Sequence, residues 1–236
     1  MWERNDKVLG VIGGMGPLAT QLFYRQVIDR TVACRDQDHI DMILLNHATM
    51  PDRTAAILSG KTEELFALLL TDAKKLEALG AVAIAIPCNT SHYFVPRLQE
   101  QLSIPIIHMI REAAKEVASR GKAERVGILA TDGTIQSGMY QKACREAGLT
   151  PVVPTGEKQA LVMKIIYDGV KNGGTIDYND FIAVEGDLAA QGCQAAILAC
   201  TELSCFKEMY HLPNYYVDAM EVLAVRSIEA CGKRVK

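Results

Sequence analysis

Apolar and polar positions follow two different periods along this chain. Short runs of aliphatic and β-branched residues are typical of buried strands, and longer stretches with apolar residues at every third or fourth position are typical of amphipathic helices. The predicted strands are residues 7–12, 40–45, 82–86, 104–108, 125–130, 151–153, 194–199 and 215–218. The predicted helices are residues 18–33, 62–79, 109–119, 135–147, 158–171, 177–191 and 219–231. Strands that alternate with helices indicate an α/β fold with mainly parallel sheets.

Three segments recur in the same order, which indicates an internal repeat. LGVIG at residues 9–13 is similar to VGILA at 126–130, GAVAIAIPC at 80–88 to GCQAAILAC at 192–200, and IIHM at 106–109 to YVDA at 216–219. The offsets are 117, 112 and 110 residues. We therefore expect two pseudo-symmetric lobes, each a mainly parallel sheet flanked by helices. The first lobe comprises residues 1–105 with 219–236, and the second comprises residues 106–218.

Composition and charge exclude several classes of protein. Apolar residues make up 49% of the chain and charged residues 22%, which is typical of a globular protein. A net charge of -3 without a basic run disfavours nucleic acid and membrane surfaces as partners. The apolar runs fall far short of the ~20 residues that a spanning helix needs.

Cysteine usage and the chain start bear on the cellular compartment. Residues 1–6 are polar and lack the apolar segment of a secretory signal. The chain has seven cysteines, and no two of them have CxxC spacing. These features predict a cytoplasmic protein with free thiols.

Two of the cysteines stand at equivalent positions of the repeat. Cys88 and Cys200 each end a predicted buried strand and begin a predicted helix. Ligands of open α/β sheets bind beyond the carboxyl ends of the strands. A helix N-terminus stabilises a thiolate, so we expect the pKa of each thiol to lie below about 8.5. The alternative is a pair of packing cysteines at strand ends, which is the role expected of the other five.

A pair of opposed thiols suits proton transfer at carbon. One thiolate removes a proton from a stereocentre and a thiol on the opposite face returns one, which inverts the centre without a cofactor. A redox disulfide is disfavoured because the two cysteines are 112 residues apart and on different predicted lobes. Two other functions stay open: a two-lobed sensor that closes on an amino acid, and a lyase or isomerase with one nucleophilic cysteine.

Four segments carry a resemblance to a known family. They are GGMGPLAT at residues 13–20, PDRT at 51–54, PCNTSH at 87–92 and CTE at 200–202. Together they resemble the aspartate racemases of the cofactor-independent aspartate/glutamate racemase family. The resemblance implies a homodimeric, PLP-independent isomerase that interconverts L- and D-aspartate in the cleft between two α/β lobes. It also implies that Cys88 and Cys200 are the two acid/base residues.

The resemblance bears on substrate choice as well. Glutamate racemases carry His where this chain has Glu202, so aspartate is favoured, and glutamate or a broader set of acidic amino acids is the alternative. One departure from the family is Ala199 before the second cysteine, where Gly is frequent.

Two basic residues match positions that hold the substrate's side-chain carboxylate in the family. Arg53 lies in the PDRT segment, and Lys171 in VKNG at residues 170–173. Arginine suits bidentate recognition of a carboxylate. The alternatives are a solvated loop arginine and a lysine that complements a helix dipole. Thr131 occupies the position of Gly14 in the second copy of the repeat and is either a substrate contact or a turn residue.

Backbone N–H groups near both cysteines are candidates for the substrate's carboxylates. Glu202 is either an anion near the second thiol or a partner of the helix dipole. The other predicted substrate-binding residues are Met15, Gly16, Asn89, Thr90 and Thr201.

Signals for cofactors are weak. The Gly14-x-Gly16-x-x-Ala19 segment is a loose dinucleotide fingerprint, but the second strand ends in Leu-Asn-His without the acidic residue that holds ribose. The histidines have no metal-ligand spacing. His92, one turn after Cys88, either tunes that thiol or packs. We therefore expect no metal and no other cofactor.

Overall fold

The chain divides into two units in a computed structural model that describes residues 7–236. The divisions fall between Met109 and Ile110 and between Val222 and Leu223. The predicted lobe boundaries lie four residues earlier in both cases, and the assignment of each unit as a domain stays a prediction. Residues 1–6, from which the absence of a secretory signal was predicted, lie outside the described residues.

The first unit contains a parallel sheet. Its strands are β1 (Val8–Gly13), β2 (Asp41–Asn46) and β3 (Ala81–Ala85), in the order β2-β1-β3. Where residues 104–108 were predicted as a strand, Ile106 makes only an isolated parallel bridge to Ile84. Pro105 has no N–H to extend the ladder, and a helix begins at Met109, so pairing stops after a single bridge.

The second unit contains a parallel sheet with the same arrangement. Its strands are β4 (Arg125–Leu129), β5 (Thr150–Val152), β6 (Ala195–Leu198) and β7 (Tyr216–Asp218), in the order β5-β4-β6-β7. If Ile106 is counted as a fourth strand of the first sheet, both sheets follow the order 2-1-3-4. The predicted α/β fold with parallel sheets is confirmed.

Helices connect the strands within each unit and carry the chain from one unit to the other. Those of the first unit are α1 (Pro17–Arg30), α2 (Arg53–Ser59), α3 (Glu63–Ala78) and α4 (Val95–Gln99). The connecting helices α5 (Met109–Ser119) and α11 (Ala219–Ala230) contain the two divisions. The second unit has α6 (Asp132–Gln136), α7 (Met139–Glu146), α8 (Gly156–Lys164), α9 (Tyr178–Ala190) and α10 (Thr201–Tyr210). Within residues 7–236, the helices include none that is long and apolar enough to cross a membrane.

Two helical predictions need correction. The helix predicted over residues 135–147 is two helices, α6 and α7, because Gly138 between them has φ 69° and breaks the helical path. The short helix α2 was not predicted. It begins after Asp52, whose side chain accepts a hydrogen bond from the Ala55 amide at 2.7 Å.

Each unit packs one helix closely against the first strand of its own sheet, at an equivalent position. A Cβ on Gly10 of β1 would lie 3.1 Å from Leu76 of α3, and one on Gly127 of β4 would lie 2.6 Å from Leu188 of α9. Each glycine thus lets a helix lie close to the first strand of its sheet. Gly10 and Gly127 are the equivalent positions found in the sequence, and the two leucines share the 112-residue offset of the cysteines.

The first unit is completed by the last residues of the chain. The Val32 amide donates to the Arg234 carbonyl at 2.9 Å, and the Lys236 amide donates to the Arg30 carbonyl at 2.9 Å. Thr31 and Val235 form an antiparallel bridge between these two bonds. The segment after α1 is therefore held by residues that follow the whole second unit in sequence.

Candidate active site

The turn between β1 and α1 forms part of the carboxyl edge of the first sheet. Gly14 has φ 90°, and its amide donates to Thr20 Oγ1 at 2.9 Å. The same hydroxyl donates to the Gly16 carbonyl at 2.9 Å, and α1 begins at Pro17, one residue before the predicted start. Met15 is buried, and its sulfur accepts a hydrogen bond from Ser91 Oγ at 3.3 Å. This contact holds the turn against the segment that follows Cys88.

Cys88 lies three residues beyond the end of β3 and is 5% exposed. A tight turn follows β3, in which the Cys88 amide donates to the Ile86 carbonyl at 2.7 Å. The helix predicted after Cys88 is a 3₁₀ helix, Thr90–Phe94, that continues into α4. Asn89 and Thr90 are buried beside the cysteine in sequence. Their contact with substrate stays a prediction.

His92 fixes the backbone of Cys88. Its Nε2 lies 3.1 Å from the Met109 amide, and its Nδ1 lies 2.9 Å from the Cys88 carbonyl. Because the amide can only donate, Nε2 accepts, and the proton is on Nδ1. Burial lowers the pKa of His92, which favours this neutral form. Both ring nitrogens serve backbone groups, so His92 positions Cys88 and leaves no nitrogen to tune the thiol.

Arg53 is the first residue of α2 rather than a loop residue. Its Nη1 donates to the Pro51 carbonyl at 3.1 Å and to the Met50 carbonyl at 3.5 Å. The guanidinium therefore folds back over the turn that precedes its own helix. Its predicted bond to the substrate's side-chain carboxylate is untested.

Cys200 caps the N-terminus of α10 and is 6% exposed. Its thiol donates to Glu202 Oε2 at 3.0 Å. Burial raises the pKa of Cys200 well above the ordinary value, and the negative charge of Glu202 raises it further. The positive charge of Lys171 and the Glu202 amide act in the opposite direction but do not prevail. The predicted lowering of the pKa by the helix N-terminus is therefore wrong for Cys200.

Three predicted side chains meet near Cys200. Lys171 Nζ lies 2.6 Å from Glu202 Oε1. Thr201 Oγ1 lies 3.5 Å from Glu202 Oε2, the oxygen that also accepts from the thiol. Lys171 ends a π-helical segment, Ile165–Lys171, that packs against α10. π-Helical turns of this kind are frequent at functional sites.

Thr131 occupies the turn between β4 and α6. Its hydroxyl caps α6, accepting from the Thr134 amide at 3.4 Å and lying 3.2 Å from Thr134 Oγ1. The structure thus gives Thr131 the role of a turn residue. Its additional contact with substrate stays a prediction.

Asp218 is a buried acidic residue to which the sequence assigned no chemical role. Its Oδ1 accepts hydrogen bonds from Ser204 Oγ at 2.6 Å and from the Met220 amide at 2.9 Å. Its Oδ2 is buried and has no hydrogen-bond partner among residues 7–236. Burial raises the pKa of Asp218 to about 6. Ser204 and His92 are equivalent in the repeat, and each joins the segment after its cysteine to the start of the following connecting helix.

We expect Asp218→Asn to stabilise the protein above pH 6. An unfolded Asp titrates near pH ~3.9, so the raised pKa stabilises the fold below about pH 4, and this contribution is lost as the pH rises through 6. Two pKa units correspond to roughly 3 kcal/mol. Urea unfolding of both proteins between pH 4 and 7.5 measures the difference, which should vanish at the acid end.

Ser204→Ala is the matched control for this effect. The Ser204 hydroxyl lowers the pKa of Asp218, so its removal should move the loss of stability to higher pH. A difference between wild type and Asp218→Asn that does not change with pH would contradict the assignment.

Metal-binding geometry is absent from the described part of the chain. No group of three or more His, Cys, Asp or Glu side chains in residues 7–236 is placed to hold a metal ion.

The fold and the edge residues define a two-unit α/β protein with a cysteine beyond the third strand of each parallel sheet. A family model described as Asp/Glu/hydantoin racemase matches residues 12–226. The chain belongs to this family and is an isomerase of the racemase type. The resemblance found in the sequence is confirmed.

Individual relatives agree with the family. The chain is 28% identical over 228 residues to the broad specificity amino-acid racemase RacX of Bacillus subtilis, covering 94% of this chain and 96% of the relative. The Picrophilus torridus aspartate racemase structure superposes with a TM-score of 0.84 at 31% identity, covering 98% and 96% of the two chains. The Francisella tularensis glutamate racemase in complex with D-glutamate has a TM-score of 0.65 at 20% identity, with 95% and 80% covered. This last likeness concerns the fold alone.

Proposed function

We propose that this protein interconverts L- and D-aspartate without a cofactor, with Cys88 and Cys200 as the two acid/base residues. The observation that carries the proposal is the equivalence of the two cysteines. Each follows the third strand of a sheet with the same strand order, at the carboxyl edge where α/β folds bind ligands. A packing role would not require a cysteine at both positions. The resemblance to the aspartate racemases supports a homodimeric assembly.

The proposed chemistry needs the two sulfurs on opposite faces of the substrate's Cα. One thiolate removes the α-proton, and the other cysteine delivers its S–H proton to the opposite face. Backbone amides near Asn89, Thr90 and Thr201 would hold the α-carboxylate and stabilise the negative charge that develops in the transition state. Arg53 would hold the side-chain carboxylate, as the family resemblance implies.

A broader specificity is the second candidate. It is favoured by the 28% identity, over nearly the whole chain, to a relative named a broad specificity amino-acid racemase. Rates with aspartate, glutamate and a set of neutral amino acids decide between the two. Aspartate preferred over the other substrates supports the first candidate, and comparable rates with neutral amino acids support the second.

Racemisation of aspartate in deuterated water tests the proposal directly. We expect purified protein, dialysed against a chelator, to invert aspartate and to introduce deuterium at Cα. Activity that depends on added PLP or metal would contradict the cofactor-free reaction. Binding of aspartate without deuterium exchange would indicate a sensor, and a covalent adduct on one thiol would indicate a nucleophilic lyase or isomerase.

A further inference from the structure

A buried carboxylate joins helix α3 to the connection that follows β2. Asp72 of α3 is 3% exposed, and its Oδ2 accepts a hydrogen bond from His47 Nδ1 at 2.6 Å. Its Oδ1 accepts from Lys75 Nζ at 3.2 Å. His47 directly follows the last residue of β2, so the carboxylate reaches the chain at the carboxyl edge of the first sheet.

Packing alone does not explain a carboxylate at this position of α3. The neighbouring buried residues of the helix include Leu69, Ala73 and Leu76. At the 112-residue offset of the repeat, the equivalent of Asp72 is Val184 of α9, which is fully buried. Apolar residues of similar size in place of a buried charged pair often leave stability unchanged or raise it. A valine therefore suffices where such a helix packs on its sheet, and the carboxylate indicates a second role.

The connection held by Asp72 is longer than its counterpart in the second unit. β2 leads into α2 through six residues, 47–52, whereas β5 leads into α8 through three, 153–155. The shorter connection is tied to α9 at its last residue, because the Thr155 amide and hydroxyl donate to Asp187 at 2.9 and 3.0 Å. In both units, an aspartate of the helix that packs on the sheet thus holds the connection after the second strand.

The arginine turn, residues 47–53, determines where Arg53 lies. The Arg53 guanidinium donates to the Pro51 carbonyl at 3.1 Å and to the Met50 carbonyl at 3.5 Å. The Met50 amide in turn donates to the His47 carbonyl at 3.4 Å. A displacement of His47 would therefore move the backbone carbonyl groups that hold the guanidinium.

His47 also joins the arginine turn to the turn after β1. Its amide donates to the Gly13 carbonyl at 3.2 Å, and a Cβ on Gly14 would lie only 2.5 Å from the His47 backbone. The turn after β1 contains Met15, a predicted substrate contact. The hydrogen bond from His47 to Asp72 thus restrains two adjoining turns at the carboxyl edge of the first sheet.

We propose that Asp72 and His47 are positioning residues, which hold the arginine turn so that Arg53 can receive the substrate's side-chain carboxylate. Binding of that carboxylate rests on the proposed function, whereas the order of the turn does not. Arginine recognises a carboxylate through two parallel hydrogen bonds, which require a fixed orientation of the guanidinium plane. A turn fastened to α3 supplies this orientation before the substrate binds, which lowers the entropic cost of binding.

Hydrogen–deuterium exchange of the substrate-free protein is the first test. Asp72→Val gives α3 the residue that α9 has at the equivalent position, so we expect the helix to stay folded while the arginine turn loosens. Exchange in the peptide that covers residues 47–53 should become about tenfold faster or more, because a hydrogen bond to a carboxylate is lost. Asp72→Asn keeps an acceptor for His47 and should give a smaller increase. His47→Ala removes the other partner, should act as Asp72→Val does, and replaces it if that variant fails to fold.

Glu63→Gln is the matched control. Glu63 belongs to the same helix, and both of its carboxylate oxygens accept from Arg97, at 2.8 and 2.9 Å. This variant should leave the exchange of residues 47–53 unchanged. Unchanged exchange in both Asp72→Val and His47→Ala would overturn the proposal, whether or not the protein racemises aspartate. Faster exchange in a protein that does not racemise aspartate would support the held turn and contradict the proposed function alone.

Kinetics with aspartate are the second test. A loosened guanidinium should raise KM by about tenfold and change kcat less, and Asp72→Asn should restore most of the affinity. If Asp72 acts through Arg53, then Asp72→Val combined with Arg53→Met should lose no more activity than Arg53→Met alone. An unchanged KM in Asp72→Val, or losses that simply add in the double variant, would overturn the role of Asp72 in positioning Arg53.

Discussion

Cys88→Ala and Cys200→Ala are each expected to abolish racemisation in both directions. Every turnover of a two-base reaction uses both groups, one to remove the proton and one to return it. A proton-transfer residue typically contributes ~10²–10⁴-fold, so the loss is far outside the error of a chiral assay. Rates measured from L-aspartate and from D-aspartate should fall together, because the two enantiomers are equally stable and kcat/KM is equal for both.

The two variants should nevertheless differ with a substrate that carries a leaving group at Cβ. Loss of chloride from a β-chloro analogue requires only removal of the α-proton, so one remaining cysteine that acts as the base suffices. Cys88→Ala and Cys200→Ala should therefore eliminate chloride from opposite enantiomers. A shared preference for one enantiomer, or racemisation near the wild-type rate in either variant, would show that the opposed-thiol mechanism is wrong.

Two other buried cysteines serve as controls for these variants. Cys144 and Cys205 are buried, burial raises the pKa of each to about 12, and neither stands at the pair of positions that the repeat matches. We expect Cys144→Ala and Cys205→Ala to retain racemisation with a modest loss of stability.

Gly14→Ala is expected to destabilise the first unit severely. Gly14 has φ 90°, a conformation that costs other residues about 1–3 kcal/mol. A Cβ there would also lie 2.5–2.7 Å from backbone atoms of His47 and Ala48. His47 cannot easily move, because its amide donates to Gly13 and its ring bonds Asp72 at 2.6 Å. Relief of such a clash typically costs about 1–3 kcal/mol more, so chemical denaturation should report a loss of roughly 2–6 kcal/mol.

Gly60→Ala separates backbone strain from the clash. Gly60 ends α2 with φ 73°, and no heavy atom lies within 4 Å of a Cβ built there. Its replacement should cost only about 1–2 kcal/mol, the cost of the left-handed conformation alone. Equal losses in the two variants would contradict the proposed clash with His47.

The sequence predicted the fold correctly where the apolar pattern and the internal repeat both indicated the same element. β1 and β4 were found from matching apolar runs, and the glycines within them lie at equivalent close approaches to α3 and α9. The apolar pattern predicted the wrong element where a proline or a glycine changes what the backbone can form. Pro105 interrupts an otherwise strand-like segment, and Gly138 divides an otherwise continuous amphipathic helix.

The candidate site was predicted as a set of residues but not as a set of interactions. The repeat located Cys88 and Cys200, whereas the role of Glu202 was left open between an anion near the second thiol and a partner of the helix dipole. Lys171 is 31 residues from Glu202 in sequence, and no local pattern indicates that the two form an ion pair. The raised pKa of Cys200 depends on burial, which the helix N-terminus argument did not include.

The pairing of residues 30–32 with residues 234–236 has a consequence for biosynthesis. Residues 110–222 form one uninterrupted stretch, so the ribosome supplies every contact internal to the second unit before the first unit is complete. The first unit needs Leu223–Lys236, and its Val32–Arg234 bond closes a loop of about 200 residues. Domains generally fold as units during synthesis, so the half of the protein encoded later is the one able to finish folding earlier.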